Sequence, residues 1–585
     1  MKLNILNKVY SPKDLKELNI SDLKELASEI REVIINKVSQ TGGHFGPNLG
    51  MVEATIALHY VFNSPVDKIV YDVSHQSYPH KILTGRKHGF LDPDKFNSIT
   101  GYTSQLESKH DFFRIGHTST SISLACGLAK ARDVKGDSEN IIAVIGDGSL
   151  SGGEALEGLN NASASGKNII ILVNDNDMSI AENYGGIYQN LAKLRETEGK
   201  SEDNFFKSFG FEYHYVKGHD LESLIDVFTK VKDIDHPVVI HMHTIKGKGY
   251  EDAEVNKEAF HWVMPFDLKT KKPLSNFSGE SYSKITDNFL CEKASKDKKI
   301  VGITAATPMG VGLNEFRYKF KDQFVDVGIA EEHAIALASG MASQGCKPVA
   351  SFYSSFIQRT YDQLSQDLAI NDNPALILIH GNGISGSDIT HLGIFDIPLI
   401  SNIPNIVYLA PTNKEEYLAM MEWGIEQDEH PVVVRVPSNG VVSTGEKVEA
   451  DFSNLNTYKK TNEGEEVAII GLGAFYQLGE KVQIKLKEEL NINATLINPR
   501  FITGIDENML NDLLENHKLV ITLEDGILDG GFGEKISRFY GDKDMKVLNF
   551  GATKEFTDKA NINELYMRYH LTDELIVEDI KNLLR

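Results

Sequence analysis

The sequence predicts an α/β protein of three doubly wound domains with largely parallel sheets. Short apolar runs rich in Val and Ile recur along the chain, as in NIIAVIGDGS at 140–149, NIIILVND at 168–175 and PALILIHG at 374–381. Each is a buried-type strand of about 5–6 residues that ends in Gly, Asp or Asn before an amphipathic stretch, the pattern of parallel sheets covered on both faces. The rhythm lapses twice, over the charged, irregular 251–283 with LKTKKPLSNFSGE, and over the polar 440–465 with TGEKVEADFSNLN and TNEGEE. These lapses read as linkers and cut the chain into domains at 1–275, 280–445 and 455–585. Helix punctuation agrees: SDLKELASEIREVIINKVSQ has an apolar stripe, Ser21 as the expected N-cap with Glu25 nearby, and a stop before Gly42-Gly43.

With 585 residues, 41% hydrophobic and 24% charged, the chain is ordinary globular material for several domains. Sixty Lys and Arg against 83 Asp and Glu leave a net charge of -23, which repels phosphate backbones and anionic lipid, so neither nucleic acid nor membrane is an expected partner. Cys126, Cys291 and Cys346 lie far apart without CxxC spacing, which fits a reducing cytoplasm rather than a disulfide framework or a zinc knuckle. The first residues, MKLNILNKVYSPKDLKEL, hold no apolar core of signal-peptide length.

The most informative segment is IIAVIGDGSLSGGEALEGLNNASASGKNIIILVNDNDMSI. One strand ends at Gly146-Asp147-Gly148 and a second at Asn174-Asp175-Asn176. Glycines allow close backbone approach to a ligand, and a helix N-terminus suits a pyrophosphate. Asp147 and Asn176 offer oxygens from neighbouring strand ends, as Mg²⁺ requires. Taken alone, GDG reads as two ordinary strand-to-helix turns rich in Gly, Asp and Asn. The histidines His214, His236, His241 and His243 flank strands or turns and read as structural or solvated. The HxH pair at 241–243 has no third ligand at convincing spacing, so no metal site is expected there.

GDG followed about thirty residues later by an Asn after an apolar strand resembles the thiamine diphosphate signature. GGHFGPNLGMVEATIALHYVF at 42–62, YDVSHQSYPHKILTGR at 71–86, IGHTSTSIS at 115–123, VGIAEEHAIALASG at 327–340, SSFIQRTYDQ at 354–363, SYSKI at 281–285 and GGFGEK at 530–535 resemble 1-deoxy-D-xylulose-5-phosphate synthases, in order over nearly the whole chain. The resemblance implies a transketolase-like fold with diphosphate-binding, pyrimidine-binding and C-terminal domains, a homodimer, and the cofactors thiamine diphosphate and Mg²⁺. It also implies pyruvate and an aldehyde acceptor as substrates, and a place in isoprenoid and thiamine biosynthesis. Asp147, Asn176 and the Met178 carbonyl match the metal positions. His75, Gly116, His117, Thr118, Gly148, Ser149, Asn176, Lys246 and Tyr250 match cofactor contacts, and Phe356 the aromatic that stacks on the aminopyrimidine. Glu331 matches the glutamate that activates the cofactor, and His44, His261, Tyr353, Arg359, Asp388 and His391 match positions that handle pyruvate, the acceptor and protons.

Physics supports the role of Glu331. Its carboxyl must share a proton with the pyrimidine ring rather than lose it to water, and burial raises a carboxyl pKa in the required direction. The pair Glu331-Glu332 would serve equally as first-turn helix acids favoured by the dipole. His44, His75, His117, His261 and His391 stand in matched segments, where imidazole suits acid-base work at neutral pH.

The chain departs from the family pattern in two places. The segment from Ile187 to Phe211 is shortened to YQNLAKLRETEGKSEDNFFKSFG, which puts gating by a lid in question. HGNGISGSDITH at 380–391 and RVPSNG at 435–440 put Gly381 and Ser438 where acceptor-phosphate arginines are implied. A third arginine is absent near Asp94 and Lys95. Hydrogen bonds to a charged group contribute about 1.5–3 kcal/mol each, so losing two weakens phosphate recognition by roughly 10²–10⁴-fold. Arg359, Arg435 or a lysine are the candidates to compensate, and the sequence does not place them. The expected reaction is pyruvate decarboxylation and carboligation. The alternatives are a different or unphosphorylated aldose acceptor, ketol transfer as in transketolase, or a non-catalytic paralogue. Intact Glu331, Asp147 and Asn176 argue against the last.

Overall fold

The computed structural model describes residues 3–165, 167–275 and 279–584, and the chain divides into two compact units. Residues 276–278, inside the first expected linker, lie outside the described residues.

The first unit holds residues up to 275 together with Gly328–Ala330. Its helix α1 (Ile20–Thr41) is capped by Asn19, whose side chain accepts from the Asp22 N–H, rather than by Ser21. The helix starts one residue before Ser21, so Ser21 already lies inside it. Gly42, at φ +70°, ends it. Beyond β1 (Gly43–His44) come β2 (Lys68–Tyr71), α2 (Ser121–Lys135), β3 (Ile141–Gly146), α3 (Gly153–Ser163), β4 (Ile169–Asp175), α4 (Gly186–Glu196), β5 (Glu212–Lys217), α5 (Leu221–Val231), β6 (Pro237–His243) and β7 (Trp262–Val263). The main sheet runs β2-β3-β4-β6-β5, all parallel. Alternate residues of β3 feed opposite cores. Ile142 and Val144 pack with α1 and α5 residues, and Ile141, Ala143 and Ile145 with residues of α2, α3 and α4. Two covered faces explain why these strands read as unbroken apolar runs. The first expected linker is partly ordered, since β7 pairs antiparallel with β1, joining His44 to Trp262.

The second unit holds two sheets. In the first are β8 (Ile300–Thr304), β9 (Phe324–Asp326), β10 (Lys347–Tyr353), β11 (Leu376–His380), β12 (Val407–Leu409) and β13 (Val432–Arg435). Their order is β12-β13-β11-β10-β8-β9, all parallel. Helix α6 (Glu331–Ala342) follows β9, and α7 (Lys414–Glu426) precedes β13. The other sheet contains β14 (Lys459–Asn462), β15 (Glu466–Gly471), β16 (Thr495–Asn498), β17 (His517–Ile527) and β18 (Lys546–Ala552), in the order β14-β16-β15-β17-β18. Only its edge strand β14 is antiparallel. One apolar cluster, including Ile377, Ile397, Tyr408, Ile470 and Phe532, joins the two sheets. No helix among the described residues is long and apolar enough to cross a membrane.

Candidate functional site

Parallel sheets collect ligand-binding loops at the carboxyl ends of their strands, and the first unit does so at β3 and β4. Gly146 pairs with Asn174, so the GDG and NDN turns leave the sheet side by side, and the Asp147 N–H donates to the Asn174 carbonyl at 3.0 Å. The Asp147 carboxylate is buried and accepts from Asn183 Nδ2 at 2.7 Å and from the Met178 N–H at 3.2 Å. Burial raises its pKa, and the neighbouring Asp175 carboxylate adds to the push. A bound cation reverses that, because it favours the ionised form.

Several buried groups here lack a partner. Asn176 Oδ1, Ser179 Oγ, Tyr250 Oη and His261 Nδ1 make no hydrogen bond, which is costly unless a ligand satisfies them. A Cβ on Gly148 would meet Ser179 atoms at 3.0 Å, so only glycine leaves the backbone open there. One carboxylate, one amide oxygen and a backbone carbonyl are a hard-cation donor set. These residues fit a magnesium-bound diphosphate. Among the described residues, no group of three or more His, Cys, Asp or Glu side chains is arranged to hold a metal.

Lys246 is buried, and its ammonium donates to the Ser179 carbonyl at 2.6 Å. Burial pulls its pKa down to about 7. His44, His75 and His261 cluster with ring centroids 5.0–5.6 Å apart. Burial, with Lys246 nearby, holds His261 well below the usual imidazole range. The Gly116-His117-Thr118 turn leads into Ser119 at φ +74°. Asp72 fixes that turn by accepting from the Ser119 and Ser121 N–H groups at 2.8 and 2.9 Å, and Ser119 Oγ donates to the Ser149 carbonyl at 2.9 Å.

In the second unit Glu331 opens α6 and is 3% exposed. Its Oε2 has no hydrogen-bond partner, and Arg359 Nη1 stands 3.7 Å away. Burial pushes its pKa up to about 7, against the pull of Arg359. Phe356 lies edge-on to Tyr353 at 5.8 Å and to His391 at 5.7 Å. Thr390 Oγ1 donates to Asp388 Oδ1 at 2.7 Å and also contacts His391 Nδ1 at 2.9 Å. The hydroxyl has one proton, so His391 Nδ1–H is the donor of the second bond and Nε2 is the basic nitrogen. Burial lowers the His391 pKa to about 4, so the ring is neutral at neutral pH.

The remaining expectations at the acceptor end meet firm geometry. Arg435 is 3% exposed. Its Nε bonds Asp396 at 2.6 Å, its Nη2 bonds Asp396 at 3.3 Å and its Nη1 bonds Asp525. A guanidinium so enclosed cannot serve a ligand phosphate, which corrects the expectation that Arg435 compensates. Gly381 sits at φ +61°, where a Cβ would lie 2.9 Å from Tyr353 Cδ1, so any side chain there is strained.

Sequence reasoning missed several contributors. Asn48 donates to both the His44 and His75 carbonyls, at 3.0 and 2.8 Å. Tyr102 lies 5.7 Å from His44, and a Cβ on Gly310 would fall 1.8 Å from the Tyr353 hydroxyl. Only Asn48 left a signal, as the polar residue inside the matched GPNLG.

Comparison with known proteins defines the class first. Residues 279–441 match the family model described as transketolase, pyrimidine binding domain, and residues 457–576 the one described as transketolase, C-terminal domain. Residues 6–204 and 199–244 match the model described as 1-deoxy-D-xylulose-5-phosphate synthase. Relatives bearing that name include proteins of Halothermothrix orenii (41% identical, covering 99% of this chain and 97% of the relative) and Caldanaerobacter subterraneus subsp. tengcongensis (40%, 98% and 98%). A third, from Clostridium tetani, is 39% identical with all of both chains covered. The fold is transketolase-like, and the chain belongs to the 1-deoxy-D-xylulose-5-phosphate synthase family of thiamine diphosphate-dependent transferases.

Proposed function

We propose that this chain decarboxylates pyruvate and joins the two-carbon unit to an aldehyde, with Mg²⁺ as the second cofactor, as a cytoplasmic homodimer of three domains cut at 1–275, 280–445 and 455–585. The observation that carries the reading is the state of Glu331, a buried carboxyl with one oxygen unpaired and a pKa near 7. When bound, thiamine diphosphate supplies the nucleophilic carbon and the electron sink for decarboxylation. Asp147, Asn176 and the Met178 carbonyl would hold the cation, with Gly148, Ser149, Lys246, Tyr250, His75 and the 116–118 turn around the diphosphate. Phe356 would pack against the bound pyrimidine, and Glu331 would hold a proton on its carboxyl for the ring nitrogen. His261 and His391, whose pKa values burial lowers, take and return protons together with His44, while Tyr353, Arg359 and Asp388 orient substrate.

The acceptor carries a second reading. In the family it is glyceraldehyde 3-phosphate. In this chain Gly381 and Ser438 replace two implied arginines, and Arg435 is enclosed by two aspartates. These features favour an acceptor that is unphosphorylated or only weakly held through phosphate. The test is purified protein with thiamine diphosphate, Mg²⁺ and pyruvate, comparing glyceraldehyde 3-phosphate, glyceraldehyde and longer aldoses. CO₂ release that depends on cofactor supports the carboligase, and its absence refutes it. A low-micromolar Michaelis constant for glyceraldehyde 3-phosphate refutes the altered acceptor alone.

A further inference from the structure

Helix α4 is what remains of the shortened segment, and none of its residues has a part in the chemistry above. We propose that α4 is a brace that holds both cation-presenting turns in register, with Tyr188 and Arg195 as its positioning residues. The inference rests on the cofactor reading of Asp147 and Asn176.

Tyr188 and Arg195 are seven residues apart, two helical turns, and so share a face. Leu191 and Leu194, between them, are fully buried, so packing fixes that face against the unit. At one end the Tyr188 hydroxyl lies 3.3 Å from the carbonyl oxygens of both Asp147 and Gly148. At the other, Arg195 Nη1 stands 2.8 Å from each carboxylate oxygen of Asp175, and Nη2 reaches Asp177 Oδ1 at 2.7 Å. One helix therefore grips the turn after β3 through its backbone and the turn after β4 through two carboxylates.

The second turn needs such a grip. Asp177 is left-handed, at φ +61°, a conformation unfavourable for a residue with a Cβ. Its N–H reaches Asp175 Oδ1 at 3.2 Å, and the arginine closes the ring by binding both side chains. Asp147, Asp175 and Asp177 all lie close enough to act on the Arg195 charge, and Arg195 offsets the repulsion among them. On its far side Asp175 is held by His241 Nε2 at 2.7 Å, with the Tyr213 hydroxyl on Nδ1 at 2.8 Å. Asn176, the ligand between Asp175 and Asp177, is thus set by fixed neighbours on both sides. Groups that orient metal ligands commonly change metal affinity by about 10–100-fold when removed.

The experiment titrates Mg²⁺ into the full chain with thiamine diphosphate present, by calorimetry, with Mn²⁺ electron paramagnetic resonance as a second reading. Arg195→Ala weakens cation binding by about 10–100-fold. Arg195→Lys is intermediate, because a point charge meets Asp175 without spanning to Asp177. Tyr188→Phe and Asp177→Ala, each removing one arm, lose roughly 2–10-fold. At saturating Mg²⁺ all four turn over within about threefold of the parent, by the same separation of metal loading from chemistry. Parent-like Mg²⁺ affinity in Arg195→Ala overturns the brace, as does a turnover defect that saturating Mg²⁺ leaves in place. If Arg195→Ala does not fold, parent-like affinity in Arg195→Lys and Asp177→Ala overturns it instead. A parent chain that binds no cation with thiamine diphosphate brings down the cofactor reading, and the brace with it.

Discussion

Glu331 and Arg435 lie in the same unit at equal burial, each 3% exposed, yet their charges are treated in opposite ways. Arg435 is satisfied from every side by Asp396 and Asp525, and Tyr408 adds its hydroxyl to Asp396 at 2.6 Å. Glu331 has Arg359 at 3.7 Å and an oxygen with no hydrogen bond. Burying a charge without full compensation is unfavourable, so a chain selected for stability alone has no use for Glu331 as it stands. The arginine has been turned into structure, tying β13 to β17, while the glutamate is left poised for a ligand. That contrast also explains the acceptor end. Arg435, one of the cations the sequence offered to replace the missing arginines, is the one the fold has consumed.

The largest effect expected from breaking this contrast is on turnover. Glu331→Gln removes the shared proton and lowers carboligation by at least about 10²-fold, measured as cofactor-dependent CO₂ release, with circular dichroism unchanged. Arg435→Ala acts on stability instead. It leaves two buried carboxylates without their countercharge and costs about 3–5 kcal/mol, read as a lowered thermal midpoint. Equal stability in that variant would mean the cluster is not the tie described.

The two residues also differ in sign. The folded-state pKa of Glu331 is raised from 4.5 to about 7, so the folded chain binds the extra proton between those values. That contribution to stability is fully present below pH 4.5 and is lost as pH rises through 7. Without cofactor, Glu331→Gln is therefore more stable than the parent above pH 7, by up to about 3 kcal/mol, and the two converge near pH 4. A gap that does not vary with pH would contradict the raised value. The smallest effect falls on the proton position in His391. Thr390→Val removes the acceptor that holds Nδ1–H, and is expected to lower turnover by roughly 2–10-fold, visible as a shift in imidazole ¹⁵N resonances.

Much of this was legible in the sequence because it lies in local runs. Strands buried on both faces are continuous stretches of Val and Ile, and GDG, NDN and Glu331 sit at strand ends that such runs mark out. What was not legible depends on chain returning from far away. The partners of Arg435 lie 39 and 90 residues distant, and nothing local distinguishes a free arginine from an enclosed one. Arg195 reaches Asp175 across 20 residues, through a segment whose shortness drew attention to a missing lid rather than to a helix. Gly310 carries no local signal at all, since its need for an absent side chain is set by Tyr353. Even the N-cap of α1 fell to Asn19 over Ser21, two residues of similar capping preference.

The central claim is that Glu331 activates the cofactor through a proton held by burial. The most direct test is exchange of the thiamine C2 proton with solvent, followed by NMR on the parent and on Glu331→Ala, both with thiamine diphosphate and Mg²⁺ bound. The account predicts rapid exchange in the parent and exchange at the rate of free thiamine diphosphate in the variant. Rapid exchange in a folded, cofactor-bound Glu331→Ala would contradict it.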